Sequence, residues 1–271
     1  MKIFAIRDGY RNDNKNLAYL FYYEQSKTFY IEFPENADEW ELPILLSSFV
    51  AKKEFTVDSS WSKIWVQQRI VPPDRQNLGQ ILRDNGLDDY DEFELLMLAN
   101  GRCEQDECYL FPVKAASLPE DILARFEKHI DFAVPISNYH ILVFFHNGKV
   151  KKCNVQEAFA AMAKKNSLYG DYSTFASSRV MPGGYGVAWG NIISYSYEQL
   201  YKNGQSILLT TDDFKLFVSG AILSSAEAAE ELECSRQNID DLVRRGKLHP
   251  IKTYDKNKLF WREEITRRKQ R

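Results

Sequence analysis

The chain has 271 residues, 44% hydrophobic and 14% aromatic, a composition that supports real cores and two or three domains of ordinary size. Its formal charge of −3 hides a split: residues 235–271 hold twelve Lys plus Arg against five Asp plus Glu, a local +7 that leaves −10 for residues 1–234. The longest apolar stretches, such as Ile141 to Phe145, are too short to span a bilayer. The opening MKIFAIRDGY lacks the apolar run of a signal peptide, and Cys103, Cys108, Cys153 and Cys234 are too scattered for a disulfide framework, so a cytoplasmic protein with no membrane partner is expected.

In the first segment, KIFAIRDG and YLFYYEQSKTFYIEF are aromatic and β-branched runs that predict hairpin strands. Glu41 to Val50 reads as an apolar helix or strand. Pro72 and Pro73 precede a helical pattern through Leu78, Ile81 and Leu82 that Gly86 ends. A second helix is predicted through Phe93, Leu96 and Met97, with Gly101 after Asn100 as its stop. These make a first α+β domain over residues 1–115, of unknown role. The acidic cluster Asp88, Asp89, Asp91, Glu92 and Glu94 reads as a solvated first helical turn, where carboxylates favour the positive end of a helix. Tyr22, Tyr23, Trp61 and Trp65 read as core or dimer-face aromatics rather than a binding platform.

Between Trp61 and Leu110, Val71-Pro72-Pro73, Leu95-Leu96 and Asn100-Gly101-Arg102-Cys103 resemble the N-terminal subdomain of HipA-type toxin kinases. The resemblance implies regulatory or toxin–antitoxin ancestry. It does not extend to a nucleotide loop, a catalytic base or a metal-binding acid.

A connecting helix, Pro119 to His129, leads to a second domain at 136–208. There HILVFFHNGKVKKCNV turns at His146-Asn147-Gly148, Ala158 to Lys165 is a short helix, and SSRVMPGGYGVAWGNIISYS is another hairpin. Gly183, Gly184 and Gly186 lie before a strand rather than between strand and helix, so they read as a hairpin turn, not a phosphate loop. The run from Gly184 through Gly186 and Trp189 to Ser194, with Tyr197, Leu200 and Tyr201, resembles a small bacterial domain family of unknown function. That resemblance implies no chemistry. Cys103 and Cys108, with His129 and His140 downstream, complete no zinc pattern, and no histidine has a catalytic partner at motif distance. A linker is expected near Thr210 to Gly220.

The third domain, 221–271, carries the strongest pattern. Ser224 and Glu227 form a capping box for a helix from Ser225 to about Leu232, whose inward face is Ala228, Ala229 and Leu232. Ser235 caps a second helix with Ile239, Leu242 and Val243 on its inner face, ended by Gly246. Ile251 to Tyr254 and Lys258 to Trp261 can pair across Asp255-Lys256-Asn257, and Arg262 to Arg268 adds a last helix. The run LSSAEAAEELECSRQNIDDLVRRGKLHPIKTYDKNKLFWREEI resembles the excisionase and MerR-like winged helix-turn-helix family.

The resemblance implies a module that lays its second helix in the major groove of duplex DNA. Ser235, Arg236, Gln237 and Asn238 would then face base edges, where arginine can grip guanine and an amide can pair with adenine. Arg244, Arg245, Lys247, Lys252, Lys256 and Lys258 are the expected phosphate partners. Glu233 stands where this turn usually carries glycine, and Asp240 and Asp241 lie on the second helix, where carboxylates repel phosphate. The expectation is a multi-domain α+β protein with a C-terminal winged helix-turn-helix, a DNA-binding transcriptional regulator and not an enzyme, with no cofactor and with a homodimer to add affinity. The alternative is an adaptor or antitoxin-like protein whose acidic front domains bind a partner protein.

Overall fold

The computed structural model describes the chain except residues 11–12, 137–138, 164–171, 207, 210, 256 and 271. It is α+β, with helices and exclusively antiparallel strand pairing among the described residues. Two compact units divide it, Met1–Ala124 and Arg125–Arg271.

The first unit contains β1 (Lys2–Asp8), β2 (Asn16–Tyr23), β3 (Thr28–Glu32), α1 (Ile44–Ala51), β4 (Thr56–Val57), α2 (Ser59–Gln67), α3 (Leu78–Asp84), α4 (Glu92–Leu98) and β5 (Cys108–Pro112). Its sheet runs β4-β3-β2-β1-β5. Period-two alternation puts Phe4, Ile6, Ala18, Leu20, Tyr22, Phe29 and Ile31 on one face, where Leu46, Trp65, Val66, Phe93 and Leu96 from the helices cover them. Tyr22 stacks parallel on Phe93 at 4.1 Å. Of the aromatics singled out in the sequence, Tyr22 and Trp65 belong to this core, while Trp61 stays exposed with its edge against Phe49.

Of the acidic run, Asp91, Glu92 and Glu94 form the helix start expected, while Asp88 and Asp89 lie in the bend before it. Asp91 caps α4 by accepting from the Phe93 and Glu94 amides and pairs with Lys27 at 2.7 Å, and Glu92 pairs with Lys63. Burial opposes ionisation of Asp91, but the Lys27 hydrogen bond and these amides hold its carboxyl below the ordinary value.

The division between units falls within α5 (Glu120–Phe126). The second unit continues with β6 (Ile130–Ile136), β7 (His140–Phe145), β8 (Val150–Asn154), α6 (Gln156–Ala163), α7 (Tyr172–Ala176), β9 (Arg179–Val180), β10 (Gly186–Trp189), β11 (Ile193–Ser196), α8 (Tyr197–Asn203) and β12 (Gln205–Ser206). One sheet runs β12-β8-β7-β6 and a smaller one β11-β10-β9.

The glycine-rich run is a packing device. Gly184 sits at φ +76 in the turn between β9 and β10, and a Cβ there would lie 2.5 Å from the Ile130 carbonyl oxygen. This close approach seats His129 beneath the turn, with its Nδ1 2.8 Å from the Gly183 carbonyl and its ring among Phe126, Tyr185 and Tyr197. Trp189 is buried among Phe159 and Phe175 and donates to the Phe175 carbonyl at 2.7 Å.

The linker expected near Thr210 to Gly220 is instead a helix, α9 (Thr211–Ala221). Phe217 and Ala221 at four-residue spacing bury against Phe132, Val134, Ile136 and Leu142 of the larger sheet, which no flexible connection could do. The chain then forms β13 (Ile222–Ser224), α10 (Ser225–Glu231), α11 (Arg236–Arg244), β14 (Lys252–Tyr254), β15 (Asn257–Trp261) and α12 (Arg262–Lys269), with a third sheet β13-β15-β14. Trp261 packs against the same cluster, which includes Ile136 and Leu142, and residues 136–208 and 221–271, read as separate domains in the sequence, fall in one compact unit.

Candidate nucleic-acid interface

The geometry of residues 221–271 starts from two caps. Ser224 and Glu227 form the reciprocal capping box of α10, and the Ser235 hydroxyl accepts from the Asn238 amide at the start of α11. Between the helices the chain reverses at Glu233, which takes φ +53, and the Cys234 amide closes on the Ala229 carbonyl at 2.9 Å. The turn therefore needs a left-handed residue where glycine was expected. Glu233 is tied to Lys269 at 2.7 Å, and that hydrogen bond holds its carboxyl below its ordinary value.

Ala228, Ala229, Ile239, Leu248, Phe260 and Ile265 form the buried core, with Leu232, Leu242 and Val243 partly buried against it. Ile239, Leu242 and Val243 follow the three- and four-residue spacing of one helical face, so burying them turns the start of α11 outward. Arg236, Gln237 and Asn238 are exposed, and their side chains make no hydrogen bond or ion pair among the described residues. Ser235, also exposed, is already engaged as the cap.

The expected phosphate partners divide. Lys247 and Lys252 are exposed and carry their charges without an ion-pair partner among the described residues. Arg244 pairs with Asp241 at 2.6 Å, and Arg245 lies 3.7 Å from the same carboxylate. Lys258 on β15 is ion-paired with Asp240 on α11. Lys256 lies outside the described residues. The two carboxylates that looked repulsive in the sequence thus neutralise cations of their own module.

The hairpin brings up residues that sequence reasoning passed over. Tyr254 is 72% exposed and Ile251 52%, and a shallow open concavity is lined by Lys252, Tyr254, Asn257 and Leu259. An aromatic at a polar hairpin tip was the available signal. Arg262 was likewise missed. It donates to the Gly220 carbonyl at 2.6 Å and pairs with Glu231, joining the end of α9 to α10 and α12.

Among the described residues no group of three or more His, Cys, Asp or Glu side chains could hold a metal ion. All four cysteines are free thiols, and burial pushes Cys108 and Cys153 up to about 12, leaving them protonated. The histidines do acquire partners through the fold: His146 Nε2 lies 2.9 Å from Asp131, and His249 Nδ1 3.0 Å from Glu264. None of the described helices is long and apolar enough to cross a membrane. No protein-family model matches the chain, and no curated protein or solved structure matches it at a significant level.

Proposed function

We propose that this chain is a duplex-DNA-binding regulator that reads sequence with α11 and holds the backbone with the β14–β15 hairpin, in the manner of a winged helix-turn-helix. One observation carries the reading. Arg236, Gln237 and Asn238, three side chains able to make bidentate contacts with base edges, stand side by side without internal partners at the outward N-terminal end of a helix locked from behind. In the free chain these exposed side chains are solvated, and at the outward end of the helix they can exchange that water for base edges.

The test is selection by the full chain from a pool of randomised duplexes, followed by fluorescence anisotropy on the enriched site at two salt concentrations. Enrichment of a defined sequence with salt-dependent binding supports the proposal. Recovery of an unenriched pool, with no binding at low salt, overturns it.

A second reading, an adaptor or antitoxin-like protein, draws on Trp40 and Ile44 in the first unit, which are 87% and 91% exposed and four residues apart. Large apolar side chains displayed this way suit a protein partner. Stoichiometric co-purification of a protein that is lost on Trp40→Ala would favour it.

A further inference from the structure

We propose that Lys128, Lys149 and Lys151, gathered around Tyr201, form a second phosphate-gripping surface that holds the DNA backbone beyond the α11 and hairpin contacts. The inference rests on the DNA-binding reading above.

The three lysines come from different stretches: Lys128 precedes β6, Lys149 follows the β7–β8 turn, and Lys151 lies on β8. Their ammonium groups stand 5.9, 5.5 and 4.5 Å from the centre of the Tyr201 ring. Lys149 holds the Tyr201 phenol below its ordinary pKa, Asn147 donates to the phenol oxygen at 3.1 Å, and Lys151 donates to the Tyr201 carbonyl. The fold thus concentrates three positive charges on one ring, in a body whose residues 1–234 carry −10.

Nearby carboxylates do not match these charges. Glu198 accepts from the Tyr197 hydroxyl, Asp131 faces His146, and Glu127 makes no ion pair among the described residues. None of the three lysines is ion-paired among the described residues. Like charges held together without counterions repel, and a polyanion relieves that repulsion.

The need for such a surface follows from residues 221–271, where Lys258, Arg244 and Arg245 are already paired with Asp240 and Asp241. Few uncommitted cations remain there for phosphate. The lysine surface belongs to the same compact unit as α11.

The experiment compares the full chain with a Lys128→Gln/Lys149→Gln double variant on the selected duplex, titrating salt and following anisotropy. Both side chains are exposed, so the fold should be retained, and thermal melting by circular dichroism verifies it. Loss of two phosphate contacts should lower the slope of log K against log salt by about 1.8, and affinity near 0.1 M salt by on the order of tenfold or more. A Lys52→Gln/Lys53→Gln variant, equal in net charge and altered in the first unit, should leave the slope in place.

An unchanged slope in the Lys128/Lys149 variant, with Arg236→Ala still relaxing selectivity at one base position, would overturn this surface and leave the α11 reading standing. Equal losses in both double variants would reduce the effect to net charge and also overturn it. No DNA binding by the wild-type chain would remove both proposals together.

Discussion

Lys258 on the hairpin strand and Asp240 on α11 form an ion pair eighteen residues apart in sequence, with the lysine side chain 22% exposed and the aspartate 61%. The pair joins the helix proposed to read bases to the hairpin proposed to grip the backbone. It also means that a cation of the candidate interface enters any encounter with DNA already neutralised.

Removing the carboxylate should therefore strengthen binding. Asp240→Asn releases the Lys258 ammonium and deletes a negative charge from the face that would meet phosphate. A several-fold gain in affinity at low salt is expected, with a salt slope steeper by about one contact's worth, roughly 0.9. Stability should change by only ~0–1 kcal/mol, because the Asp240 carboxylate is largely solvated. Anisotropy titrations at two salt concentrations check this, and weaker binding would show that Asp240 itself contacts a base.

Arg236→Ala should act on selectivity more than on overall adhesion. Loss of one bidentate base contact costs about 1–3 kcal/mol at a single base position and little elsewhere. Competition between the selected duplex and single-base variants resolves the two, and uniform weakening across all sequences would reassign Arg236 to the backbone.

Stability should fall with acid from a specific source. Burial pushes the His129 imidazole down to about 3, so the folded state binds its proton far less readily than the unfolded chain, where the group titrates near 6.5. A depressed histidine pKa leaves stability intact above about 6.5 and withdraws it as pH falls from there toward 3. The slope contributed by this residue approaches ~1.4 kcal/mol per pH unit. The carboxylates held low, such as Asp91, Glu227 and Glu233, titrate below that window's upper half. Urea melts at pH 7.5, 6.5 and 5.5 should show the decline, and His129→Leu should flatten it; an unchanged slope in that variant would place the acid sensitivity elsewhere.

Gly184 and Gly190 separate two costs of a side chain. Both have positive φ, but a Cβ at Gly184 would meet the Ile130 backbone at 2.5 and 2.8 Å, whereas one at Gly190 would meet nothing within 4 Å. Gly190→Ala should cost only the left-handed strain, about 1–2 kcal/mol. Gly184→Ala must also displace a strand or the turn above His129, and at roughly 3 kcal/mol or more it should lower the melting temperature well beyond its partner. Equal melting temperatures would refute the packing role assigned to the glycine run.

The local signals carried far. The Ser224–Glu227 box, the Ser235 cap and the spacing of Ile239, Leu242 and Val243 place both helices of the C-terminal pair within a residue or two of where they lie. Asn147 and Gly148 mark the β7–β8 turn, and Asp91 marks the start of α4. These features answer to hydrogen bonds and side-chain contacts within about four residues, which the order of amino acids alone determines. The segment before Ala221 looked like a linker because its apolar residues have no partners nearby in sequence. Phe217 acquires Phe132 and Trp261 only when the sheet is assembled, and burial there makes the segment a helix. The charges divide the same way. The amino-acid order supplies the basic residues of the tail and the lysines near Tyr201, but only the tertiary structure decides that Lys258 is matched by Asp240 while Arg236 and Lys149 stay unmatched, because an ion pair depends on a few ångströms of distance between residues that the chain itself keeps far apart.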